Sequence, residues 1–129
     1  MSFVTSSFLR RALTADAAIS GATGAVMIVA ADVLARLLDV PATLLRYAGI
    51  SLIPFVAYVL YLSRRPALTS GSVWLVITLN IAWVIASGVL LLSGEIHPNA
   101  LGYAFVIAQA IAVAAFAEMQ YVGLRGKPA

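Results

Sequence analysis

Two carboxylates stand in or beside long apolar stretches of this chain, Asp16 at the first and Glu118 within the last. A carboxylate in hydrocarbon is costly, so each calls for a partner and a purpose. Arg10 and Arg11 precede Asp16, and Arg125 follows Glu118 by seven residues, about 10 Å of helix. This spacing predicts that Asp16 and Glu118 lie at one depth on one side, within reach of Arg10, Arg11 or Arg125. Two readings follow: a salt-bridge cluster that fixes helix register, or a site for a proton or cation. Asp16, Ser20 and Thr23 share one helical face, as do Asn80, Trp83 and Ser87. The second stripe reads most simply as interhelical hydrogen bonding. Gln109 and Gln120 share a face of the last stretch while Glu118 points elsewhere, so the three do not line one narrow pore. The candidate polar or ligand site is therefore Asp16, Ser20, Asn80, Trp83, Gln109 and Glu118, with Arg10, Arg11 and Arg125 as a candidate charge cluster on the cytoplasmic side.

Other chemistries lack their residues. With no cysteine there is no disulfide, thiolate metal site or cysteine nucleophile. His97 is the sole histidine, so a two-histidine haem site cannot be built within one chain. Beside Glu95 it makes a weak metal or pH-sensing site and reads as a solvated loop residue. No phosphate-binding loop, dinucleotide fingerprint, HExxH or nucleophile elbow is present. No catalytic, cofactor-binding or metal-binding residues are expected, and no enzyme.

The elements that must position these groups are four apolar runs. Hydrophobic residues make up 63% of the 129 and charged residues 10%, against about 25% charge in soluble domains. Mean hydropathy is +1.03. Each run approaches the ~20 residues a helix needs to cross a bilayer. They lack the alternation of barrel strands, and helices satisfy their own backbone in lipid. The predicted fold is all-α: a polytopic membrane protein, one transmembrane domain over 1–129, folded as an up-down bundle of four transmembrane helices with short loops. The spans are about 14–35, 44–63, 72–93 and 99–123. The first is too long for a signal-peptide core and is read as retained.

Pro41 and Pro98 fit first-turn positions of spans two and four, and Ser70 or Ser72 can cap span three. Arg64-Arg65-Pro66 ends span two, whereas Pro54 sits inside it, as a packed kink or a hinge. Asp32 can pair with Arg36; Asp39 can cap span two or pair with Arg46. Small residues at Ala17, Gly21 and Ala25, and at Ala104, Ala108, Ala112 and Ala115, suit close packing of spans one and four or of two protomers. Tyr47, Trp74, Tyr103 and Tyr121 read as an interfacial belt.

Basic residues favour one side: Arg10, Arg11, Arg64, Arg65, Arg125 and Lys127, against Arg36 and Arg46 opposite. That bias predicts cytoplasmic N- and C-termini in a bacterial inner membrane. The net charge of +3 needs only anionic lipid headgroups to explain it, and no nucleic acid.

Three strings carry a resemblance: Asp16-Ala17-Ala18-Ile19-Ser20-Gly21, Asn80-Ile81-Ala82-Trp83-Val84, and Ala117-Glu118-Met119-Gln120-Tyr121-Val122-Gly123-Leu124-Arg125. With them the chain resembles a group of short four-span bacterial inner-membrane proteins of uncharacterised activity, with a looser, fold-level likeness to DoxX-type four-helix proteins. In size it is similar to small multidrug-resistance transporters and fluoride channels. It departs from the former because Asp16 is expected near the edge of its span, and from the latter in lacking their phenylalanine-bearing third helix. The expected function is a non-enzymatic bundle, in the bilayer with copies of itself or a larger membrane partner, serving in assembly or binding a small ligand or lipid. The alternative is a small oligomeric transporter or channel using polar residues within the spans.

Overall fold

The computed structural model describes residues 2–126, so Lys127 lies outside the described residues. The element order is β1 (Ser2–Val4), α1 (Ser7–Val29), α2 (Ala31–Leu38), α3 (Ala42–Ser63), β2 (Ala67–Thr69), α4 (Ser70–Leu92) and α5 (Ala100–Arg125). Helices α1, α3, α4 and α5 are long and apolar enough to cross a membrane. The expected all-α four-helix bundle is thus the architecture found.

The first span departs from its predicted limits. Helix α1 begins at Ser7, where the Ser6 hydroxyl accepts the Leu9 N–H at 3.1 Å. Arg10 and Arg11 therefore lie inside the helix rather than ahead of it. Arg10 is accommodated because its guanidinium donates to the carbonyls of Ser63 and Arg65 where α3 ends. The helix stops at Val29, and residues 31–38 form a separate short helix on which Asp32 and Arg36 are exposed.

Several caps also differ from expectation. Thr69, not Ser70 or Ser72, caps α4, accepting the Ser72 N–H at 3.2 Å. Pro41 is itself the N-cap of α3, and Pro98 precedes the N-cap of α5, Asn99. Asp39 ends α2 in the left-handed conformation (φ 57) instead of capping α3. Asp32 pairs with Arg46 at 3.5 Å, leaving Arg36 and Asp39 outside that ion pair. Helix α3 does end at Ser63, before Arg64-Arg65-Pro66, and it runs through Pro54 unbroken.

Packing divides the bundle into two helix pairs, α1 with α3 and α4 with α5, joined where α1 meets α5. Helices α3 and α4 stand farther apart, meeting through side chains at one end, where the Tyr58 hydroxyl donates to the Ser72 carbonyl. Among the small residues of α1, Gly21 and Gly24 face span two, whereas Ala25 is exposed. A Cβ on Gly49 would come within 2.8 Å of the Gly24 carbonyl oxygen, so the two backbones cross in near contact. On α5, Ala104, Ala108 and Ala115 are exposed instead of forming a tight seam.

The helical reading omitted the small sheet. Strand β1 runs antiparallel to β2, with Phe3 opposite Leu68, and Thr5 donates both its N–H and its hydroxyl at 3.0 Å to Pro66 and Arg65 carbonyls. At this end the core includes Leu9, Leu13, Val59, Leu62, Val73 and Leu124. A second core, with Met27, Ala31, Leu38, Val40 and Leu45, closes the opposite end.

Candidate functional site

Asp16 is the tenth residue of the 23-residue α1 and is fully buried. It lies well inside the helix, not at its edge as predicted, because α1 starts earlier than the apolar run suggests. Its oxygens collect donors from three helices. Ser20, one turn along α1, donates from Oγ to Oδ1 at 2.9 Å. Asn80 of α4 and Gln120 of α5 donate to Oδ2 at 2.8 and 2.6 Å. The Asn80 amide nitrogen also donates to Gln120 Oε1 at 3.0 Å. All four residues are buried, and the cluster ties α1, α4 and α5 together. Low local dielectric strengthens such bonds and makes each missing one expensive.

Glu118 does not join the cluster. It is exposed, about 200° around the helix from Gln120, which takes the inward position at nearly the same level. Nor do the arginines pair with Asp16. Arg10 is occupied by backbone carbonyls, Arg11 is exposed, and Arg125 stacks 5.6 Å from the Tyr121 ring. The expected shared site of Asp16, Glu118 and Arg10, Arg11 or Arg125 is therefore replaced by a carboxyl held by amides and a hydroxyl.

A second polar group lies farther along the bundle. The Trp83 indole N–H donates to Gln109 Oε1 at 2.6 Å, and Gln109 Nε2 donates to Ser87 Oγ at 3.1 Å and to the Val106 carbonyl at 2.8 Å. The stripe Asn80, Trp83 and Ser87 is thus divided: Asn80 serves the Asp16 cluster, and the other two serve Gln109.

Between the two groups opens a cavity of about 650 Å³, walled by all four long helices. Phe55, Tyr58, Phe105 and Phe116 supply aromatic surface, and Ser20 and Asn80 form a polar floor above Asp16. Exposed Pro54, Leu75 and Leu79 rim the side where α3 and α4 stand apart. The α5 alanines contribute here: Ala108 and Ala112 line the cavity and leave it room. Trp83, Phe105 and Gln109 also border a smaller cavity of about 200 Å³ toward α2, and so divide the two. Glu118 lines neither. His97 and Glu95 are exposed on the α4–α5 loop.

The residue that sequence reasoning left out of the site is Gln120. Its signal was present, since it shares a face with Gln109 in an apolar span, but the charged Glu118 two residues away drew the assignment. Comparison with family models, curated proteins and solved structures found no match for the chain.

Proposed function

We propose that this multi-pass membrane protein is a non-catalytic binding bundle that takes a small apolar molecule or lipid chain from the bilayer into the cavity between α3 and α4. The cavity itself carries the reading. At about 650 Å³ it falls in the ~300–1,000 Å³ range of small-molecule sites, and its mostly apolar walls with a few convergent polar groups have the character of one. Its side entrance lies between two apolar helices, so an entering ligand need not cross water. The densely packed core below the Asp16 cluster speaks for a closed-ended pocket over a conduit. We place the termini, β1, β2 and Arg10, Arg11, Arg64, Arg65 and Arg125 on the cytoplasmic side of a bacterial inner membrane, by the clustering of basic residues. A second copy or a larger membrane partner has the open α3/α4 side available for contact.

Trp83 reports on occupancy. With Trp74→Phe the chain keeps Trp83 as its one tryptophan. In nanodiscs of zwitterionic lipid, bromine-labelled decanol is expected to quench Trp83 saturably. Ala112→Phe, which fills the cavity, should remove the saturable part while the fold is retained by melting. Quenching that never saturates, or that Ala112→Phe leaves unchanged, would overturn the reading.

A further inference from the structure

The Asp16 cluster spends the Ser20 hydroxyl hydrogen and both amide hydrogens of Asn80, and leaves acceptors of these two residues facing the cavity. Both N–H groups of Asn80 are engaged, one by Asp16 and one by Gln120. Asn80 Oδ1 takes no bond within the cluster, and among the described residues no fully buried side-chain polar atom lacks a partner. That oxygen therefore reaches open space, and the space Asn80 lines is the cavity. Ser20 Oγ spends its hydrogen on Asp16 and presents lone pairs there as well.

Among the described residues, the carboxyl behind this floor has no cationic partner. On its own helix, Arg10 is held by carbonyls and Arg11 is exposed. Helix α3 offers Tyr58, whose hydroxyl donates to the Ser72 carbonyl at 3.1 Å; on α5, Glu118, Tyr103 and Tyr121 are exposed and Arg125 lies over the Tyr121 ring; α4 carries no titratable side chain. The described ion pair, Asp32 with Arg46, belongs to α2 and the start of α3 at the opposite end. A buried carboxylate without a counter-charge must acquire one or take up a proton.

Each course changes the floor. When Asp16 is ionised, the cavity meets only acceptors backed by negative charge. When Asp16 is protonated, Oδ2 already receives two N–H bonds, so the proton resides on Oδ1 and points to Ser20 Oγ. Ser20 then turns its own hydrogen into the cavity. We propose that the ionised site takes the head of a lipophilic monocation, a protonated alkyl amine, whose N–H groups bond to Asn80 Oδ1 and Ser20 Oγ while its chain lies toward the α3/α4 opening. This rests on the cavity's being a ligand site, as proposed above, and adds the charge of the ligand.

The experiment compares bromine-labelled decylammonium with bromine-labelled decanol on the Trp74→Phe protein in zwitterionic nanodiscs at neutral pH, where a primary alkyl amine is protonated. The expected result is saturable quenching by both, several-fold tighter for the amine than for the alcohol. Asp16→Asn should abolish the amine's advantage while decanol binding persists. If that variant fails to fold, the amine–alcohol comparison on the Asp16 protein decides, with Ala112→Phe removing the saturable part for both. An amine no tighter than the alcohol, or an advantage that Asp16→Asn leaves unchanged, overturns this inference and leaves the cavity reading intact. Failure of both ligands to bind overturns both.

Discussion

Asp16 is surrounded by groups that keep it in place whether or not it binds anything. Removing one of them exposes the cost. Gln120→Leu deprives Oδ2 of its shortest bond and strips Asn80 of an acceptor, both in a fully buried site. The expected loss is about 1–3 kcal/mol of stability, measured by unfolding of the purified protein in mixed micelles. Gln109→Leu should cost less, near the ~0.6 kcal/mol average for interhelical bonds in membranes, because its partners are only half-buried. At this scale the sequence was partly readable. Asp16, Ser20 and Asn80 were recoverable as polar groups on helical faces of apolar spans. Their meeting was not, because a helical period fixes a face but not the neighbour it meets. Glu118 shows the converse: its charge attracted attention, yet it stays exposed while the neutral Gln120 turns inward.

Among the elements, the α1–α3 crossing sets how the bundle closes. Gly49 and Gly24 abut through backbone, whereas a Cβ on Gly21 would meet only the Val56 side chain at 3.5 Å. Gly49→Val is therefore expected to destabilise by about 1–3 kcal/mol through overpacking. Gly21→Ala should be neutral or stabilising by up to about 1 kcal/mol, since it gains helix propensity without a clash. Thermal melting of the two variants checks the opposite signs; equal losses would mean the crossing is not the tight point. The four apolar helices were legible from run length alone. The start of α1 was not, since a pair of arginines ordinarily marks the membrane edge, and only the carbonyls of Ser63 and Arg65 explain how Arg10 is held within the helix. The break at Ala30 carries neither glycine nor proline to announce it.

For the molecule as a whole, the two ends differ in charge and in construction. The end bearing β1 and the close of α5 is basic, strapped by β1 and β2, and solidly filled; the other is capped by α2 and has the smaller cavity beneath it. Because the chain has no cysteine, single introduced thiols report orientation cleanly. On the proposed topology, Glu95→Cys should react with a membrane-impermeant maleimide added to intact cells, and Arg64→Cys only after permeabilisation. The reverse pattern would invert the orientation. The strap also dictates an order of events. Residues 2–4 cannot pair until residues 67–69 exist and α3 has already returned to the starting side. Ring closure at that end therefore comes late in biogenesis, after the first two spans are in the membrane. Until then α1 and α3 are held by their packed crossing and by Arg10 on the Ser63 and Arg65 carbonyls, without the strap, so a delayed partner strand leaves an inserted but unlocked hairpin exposed to quality-control proteases.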